Sequence, residues 1–113
     1  MRIVTDQISL SELREMAGNR FGDFVKAVVD VEKGIMALDA DLHSDQEALL
    51  LENGSQQEHL WGINLYVDLP ENQRIEFDSM INLRPSFGNR SRGVDDPVIQ
   101  KKIIGIVSHL VKE

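Results

Sequence analysis

The segment WGINLYVDL, residues 61–69, has an apolar residue at every odd position. The even positions between them hold Gly62, Asn64, Tyr66 and Asp68. A period of two is typical of a β-strand with one buried and one polar face. The same alternation runs from Ile75 to Leu83, so we expect a second strand there.

The phase of the two alternations restricts how these strands pair. Both apolar sets are odd-numbered, so paired residues must have numbers with an even sum if the apolar faces are to coincide. A three-residue loop, Pro70 to Asn72, meets that condition. It predicts Leu69 opposite Gln73 and Asn64 opposite Asp78.

Two further strands are expected between residues 24 and 42, where apolar residues again alternate with polar ones. A helix through residues 21–35 also fits the apolar spacing. The run of β-branched residues favours a hairpin over that helix, with Glu32–Ile35 as its turn. The short apolar run Ala48–Leu51 predicts a central strand covered on both faces.

Capping signals predict one helix on each side of these strands. Ser9 and Glu12 form a capping box, and Gly18 can end the first helix. Asp96 and Pro97 begin the last helix, and Gly105 within it predicts a close contact with the sheet. The expected fold is therefore α+β, an antiparallel meander of about five strands with an N-terminal and a C-terminal helix packed on one face.

Size and charge restrict the class of protein. A chain of 113 residues predicts a single domain, residues 1–113. The 12 Lys and Arg residues against 19 Asp and Glu give a net charge of −7, which disfavours general nucleic-acid binding. There is no cysteine, no apolar run long enough for a membrane span and no signal core, so we expect a soluble cytoplasmic protein without a membrane partner.

The segment from Arg84 to Val94, called the arginine loop here, holds three arginines and no acidic residue. Guanidinium groups bind carboxylates and phosphates in a bidentate manner, and the loop leads into a helix N-terminus. The predicted ligand is a nucleotide or RNA phosphate or an acidic protein segment, bound by Arg84, Ser86, Asn89, Arg90, Ser91 and Arg92. Alternatively, the arginines pair with Asp78, Asp95 and Asp96 and only fix the loop.

A second candidate site lies at His43, Asp45 and Glu47. In an extended segment these three side chains share one face, and imidazole with carboxylates is a reasonable metal-ligand set. This hypothesis predicts a metal-assisted hydrolase or nuclease. The alternative is a solvated acidic edge.

A third candidate is the polar face of the two later strands, with secondary binding candidates Asn64, Tyr66, Asp78 and Asn82. An ordinary solvated sheet face would show the same pattern. Met80 interrupts the polar row and indicates cover by a helix or by a second subunit. A homodimer is therefore a further prediction, with assembly as the function.

Two longer stretches resemble a known family. These are LHSDQEALLLENGSQQEHLWGINLY, residues 42–66, and INLRPSFGNRSRGVDDP, residues 81–97. They resemble a family of short prokaryotic proteins that form a domain of unknown function. The resemblance implies no activity and no catalytic residues. The segment Asp39–Asp41 departs from it, because glycines are expected there.

Overall fold

The computed structural model describes residues 1–113 as three α-helices and seven β-strands. The strands are β1 Arg2–Val4, β2 Ile8–Ser9, β3 Phe24–Asp30, β4 Ile35–Leu38, β5 Leu60–Tyr66, β6 Ile75–Glu76 and β7 Val111–Lys112. The helices are α1 Leu10–Gly18, α2 His43–Glu52 and α3 Pro97–Leu110. Five strands form an antiparallel sheet in the order β1-β4-β3-β5-β6, and β2 pairs in parallel with β7.

The sheet separates two apolar layers. The larger core has 19 buried residues and joins α1 and α3 to the odd-numbered side chains of β3 and β5. The smaller core lies on the opposite face, where Leu50 of α2 packs with Val28, Ala37 and Leu60. The predicted α+β fold, with the N- and C-terminal helices on one face, is confirmed, and α2 adds a layer on the other face.

Both predicted helix starts are confirmed. The amide of Glu12 donates to Ser9 Oγ over 3.1 Å, and the amide of Val98 donates to Asp96 Oδ1 over 2.8 Å. The Glu12 carboxylate also accepts from Arg2 Nη1 over 2.7 Å. The longest helix, α3, has 14 residues, and none of the three combines the length and hydropathy that a bilayer crossing requires.

The predicted hairpin at residues 24–36 is confirmed, and the rival helix is excluded. Asp30 pairs with Ile35 across the turn. The amides of Glu32 and Lys33 both donate to Asp30 Oδ1 over 2.9 Å, and Gly34 has a φ of +68°. A buried aspartate and a left-handed glycine therefore hold this turn.

The predicted central strand Ala48–Leu51 is wrong, because these residues lie within α2. A short apolar run is equally compatible with a helix, and here only Leu50 of the four is fully buried. The place of the fifth strand is taken by β1, which pairs with β4. The predicted meander is therefore wrong in its strand order, because β1 and β5 lie beside strands that do not adjoin them along the chain.

The register predicted for β5 and β6 is wrong by two residues, although its even sum is confirmed. Asn64 lies opposite Glu76 instead of Asp78. The connection is longer than expected because it contains a 3-10 turn, Glu71–Gln73. The second strand also ends at Glu76, and a further 3-10 turn, Met80–Asn82, replaces its predicted continuation to Leu83.

The segment in which glycines were expected has one unusual backbone conformation. Asp39 has a φ of +64°, in the left-handed region that favours glycine and that aspartate tolerates better than most residues. Arg20 donates to Asp39 Oδ1 over 3.0 Å, to the Asp39 carbonyl over 3.1 Å and to Asp41 Oδ1 over 2.7 Å. These three bonds hold the bend without a glycine.

Candidate functional site

The face of the sheet on the α2 side is only partly covered. The part left open forms a cleft of about 430 Å³, called the sheet cleft here. Its floor is the outer part of β3, β5 and β6. Its walls are the first turn of α2 and the turn Met80–Asn82, with Arg92 beside them.

One cross-strand row of the floor carries charged and polar groups. Lys26 lies opposite Asn64, which lies opposite Glu76. Asn64 Nδ2 donates to Glu76 Oε1 over 2.8 Å, and the Tyr66 hydroxyl lies 3.4 Å from the same oxygen. Asn64 is only 8% exposed, yet its Oδ1 has no hydrogen-bond partner. The row therefore contains a buried acceptor that nothing in the chain satisfies.

Aromatic rings lie next to this row. Phe24 packs against Tyr66 with ring centroids 5.2 Å apart and stacks on Phe21 at 4.7 Å. Lys26 Nζ lies 5.3 Å from the centroid of Phe21 and belongs to no ion pair. The cleft floor thus combines a free cation with aromatic surface.

The first turn of α2 faces the same end of the cleft as Lys26. The cap residue is Leu42, whose side chain cannot accept a hydrogen bond from the amides of the first turn. Gln46 Nε2 donates to the Lys26 carbonyl over 2.8 Å and fixes the helix start near this strand. The positive end of the helix dipole and the Lys26 ammonium therefore add to each other.

His43 forms part of the cleft wall as a neutral imidazole. Its Nε2 lies 2.8 Å from the Ile63 carbonyl, which can only accept, so Nε2 carries the proton and Nδ1 is left as an acceptor. Burial lowers the pKa of His43 below its ordinary value, and the charges of Lys26 and Arg92 act in the same direction. The hydrogen bond to Ile63 and the charge of Asp78 oppose the shift.

This lowered pKa predicts a loss of stability on acidification. In the unfolded chain His43 gains a proton as the pH falls through about 6.5, whereas in the folded protein it resists protonation. The contribution of His43 to the free energy of unfolding is therefore fully present above about pH 6.5. It is lost as the pH falls below that value, at up to about 1.4 kcal/mol per pH unit. Urea unfolding at several pH values should show a smaller loss for His43→Asn than for the wild type. Equal losses of stability in the variant and the wild type would contradict a lowered pKa of His43.

The predicted metal site is not assembled, because its shared face required an extended segment. The residues lie in α2, where His43 points to Ile63 and Asp45 is exposed on another side. Burial raises the pKa of Glu47, and the nearby Arg84 charge opposes that rise. No three histidine or acidic side chains lie together as metal ligands in the chain.

The three guanidinium groups of the arginine loop do not converge. Arg84 is 9% exposed, donates to the carbonyls of Gln57 and Leu60, and lies 4.4 Å from the centroid of Trp61. Arg92 pairs with Asp78 over 2.8 Å and lines the sheet cleft. Arg90 is exposed and forms no ion pair.

The remaining loop residues hold the loop's own backbone. Asn89 Nδ2 donates to the carbonyls of Asn82, Ser91 and Gly93, and its Oδ1 accepts from the Asp95 amide. The Ser91 hydroxyl bonds to the Asp95 carboxylate. Ser86 is exposed in the turn Pro85–Phe87.

The secondary candidates are placed together more closely than the loop arginines. Asn64, Tyr66 and Asp78 line the sheet cleft. Asn82 is fully buried beside it, where Gly62 donates to its Oδ1 over 2.8 Å and its Nδ2 donates back to the Gly62 carbonyl over 2.9 Å. Because β6 ends at Glu76, no strand pairs with Gly62 on this side of β5. The side-chain amide of Asn82 takes that place and bonds to both backbone groups of Gly62.

Sequence reasoning missed Lys26 as a site residue. The signal was present, because Lys26 is even-numbered on a strand whose odd-numbered residues form the core. It therefore had to lie on the face shared with Asn64. To place Lys26 beside Asn64, one must know that β3 and β5 are neighbours in the sheet, and the alternation alone does not give that order.

Comparisons with known proteins give a family and no activity. No curated protein and no solved structure matches the chain. A family model described as a protein of unknown function, DUF5674, matches residues 2–110, which is nearly the whole chain. The chain therefore belongs to the DUF5674 family.

Proposed function

We propose that this protein binds a nucleoside monophosphate in the sheet cleft. The proposal rests on one observation above all: the row Lys26, Asn64 and Glu76 lies in front of the uncapped start of α2. Along this row the cleft changes from a positive end at Lys26 to an end with acceptors at Asn64 and Glu76.

The positive end suits a phosphate. Arg92 is neutralised by Asp78, so Lys26 is the cation of the cleft that an anion can engage. The first-turn amides of α2 lie nearby without a side-chain cap and can donate to phosphate oxygens. Together they supply charge and directed hydrogen bonds at one point.

The other end suits a nucleobase. The unpartnered Asn64 Oδ1 and the Glu76 carboxylate are acceptors for the N–H groups at the edge of a base. Phe24 and Tyr66 supply aromatic surface against which a base can stack. The cleft volume of about 430 Å³ lies in the usual range for small-molecule sites.

Calorimetric titration tests the proposal. The ligands are the four common nucleoside monophosphates, their nucleosides and inorganic phosphate. We expect at least one monophosphate to bind more tightly than its nucleoside and than phosphate. Removing the Lys26 charge with Lys26→Gln should weaken that binding about tenfold, as for loss of one charge-assisted hydrogen bond.

Arg90→Gln is the matched control, because it removes one exposed positive charge from the arginine loop. It should leave the dissociation constant unchanged. The earlier prediction of anion binding in that loop gives the reverse pattern, with loss in Arg90→Gln and none in Lys26→Gln. That pattern, or the absence of binding by every nucleotide, would overturn the proposal.

A further inference from the structure

A second cavity lies on the opposite side of β6, between that strand and the end of α3. Its volume is about 220 Å³. Ile75, Ile104, Val107 and Val111 give it apolar walls, and Arg74 lies among them. Ile75 and Glu76 are adjacent in β6 and line different cavities, so this Arg74 pocket is separate from the sheet cleft.

The guanidinium of Arg74 is buried and poorly satisfied. The residue is 6% exposed. Its Nη2 donates to the Leu69 carbonyl and to Glu113 Oε1, each over a long 3.3 Å, and its Nε has no partner. A guanidinium has five donors, and leaving them unfilled away from water is costly. The chain's own acceptors therefore leave the Arg74 guanidinium incompletely paired.

The Glu113 carboxylate shows what kind of group pairs with Arg74. It reaches Arg74 from a side chain that is 71% exposed, so little holds it there. The other acidic group, Glu71, accepts from the Ser108 hydroxyl over 2.8 Å, and Lys112 adds a second positive charge to the lining. A free carboxylate can displace Glu113 and form the bidentate pair that Glu113 does not make.

We propose that the Arg74 pocket binds a small monocarboxylate with a short branched hydrocarbon chain. The carboxylate pairs with Arg74, and the chain lies against Ile75, Ile104 and Val107. A dicarboxylate or a sugar acid would bring a second polar group against Ile75, Ile104 and Val107, which cannot satisfy it. The limited volume excludes long-chain fatty acids.

The test uses 3-methylbutanoate as the probe and its amide as the uncharged control, followed by backbone amide shifts in NMR. We expect the acid to shift residues around Arg74 and Val107 with saturation at concentrations up to about 50 mM, while the amide does not. Equal shifts with acid and amide, or no saturable shift with the acid, would overturn the proposal.

Two substitutions at exposed positions test the site without removing a buried side chain on which the fold depends. Glu113→Gln removes the competing carboxylate and should tighten binding of the acid at least threefold, about 0.7 kcal/mol. Ile104→Glu places a negative charge on a wall residue that is 48% exposed, and should weaken binding about tenfold. An unchanged dissociation constant in both variants would show that the acid does not bind beside Arg74. Shifts confined to Lys26 and Asn64 would place the acid in the sheet cleft and would equally overturn this proposal.

Discussion

Gly62→Ala is expected to lower the free energy of unfolding by about 3 kcal/mol. A Cβ at this position would lie 2.5 Å from both Cβ and Oγ of Ser79 and 3.2 Å from Cγ of His43. Ser79 is too short to swing aside, and Gly62 is held by β3 on one side and by Asn82 on the other. The methyl group therefore has to displace backbone, which urea unfolding would measure.

Gly105→Ala is the matched control, and its effect should have the opposite sign. Gly105 lies exposed in α3, and beyond the adjacent backbone of its own helix a Cβ there would meet no atom within 4 Å. The close contact with the sheet that the sequence predicted is wrong, because this side of the helix faces solvent. Alanine should therefore stabilise the helix by about 1 kcal/mol. Destabilisation of equal size in both variants would show that the contact at Gly62 is not the cause.

Asn82→Ala should cost about 3 kcal/mol of unfolding free energy. Asn82 is fully buried, and its Nδ2 also donates to the Arg92 carbonyl over 2.9 Å. The Arg92 carbonyl would still accept from the Ser79 amide over 2.9 Å. Alanine would, however, leave the backbone N–H and C=O of Gly62 without their partner, and unpaired buried groups carry the full cost of desolvation. Chemical denaturation followed by circular dichroism gives the difference directly.

Asn72→Ala is the control for this variant, since Asn72 is exposed in the turn Glu71–Gln73 and its side chain makes no hydrogen bond. It should change the unfolding free energy by less than about 0.5 kcal/mol. If Asn82→Ala also changes the unfolding free energy by less than about 0.5 kcal/mol, water replaces the Asn82 side-chain amide. The contact between β5 and the arginine loop would then not depend on that side chain.

Local signals predicted the parts of the fold that local contacts form. The caps at Ser9 and Asp96 and the hairpin turn after Asp30 each depend on atoms within a few residues. The run Ala48–Leu51 failed because four apolar residues fit a strand and a helix equally well. The β5–β6 register failed because an alternation fixes the parity of pairing but not the length of the connection.

The candidate site shows the same division between local and distant information. Composition identified the arginine loop, but the direction of each guanidinium depends on partners from elsewhere in the chain. Arg84 turns to the carbonyls of Gln57 and Leu60, and Arg92 turns to Asp78. A sequence gives the charge of such residues, whereas only the assembled sheet shows which of them can still meet a ligand.

The short parallel pair of β2 and β7 has a consequence for how the chain folds. Ile8 pairs with Val111, and the helix cap Ser9 pairs with Lys112. Because these partners are separated by nearly the whole chain, closing the loop between them costs more entropy than forming any of the hairpins. We therefore expect this pair to form late. Its formation ties the beginning of α1 to the end of α3, so the two helices on that face become one cooperative unit.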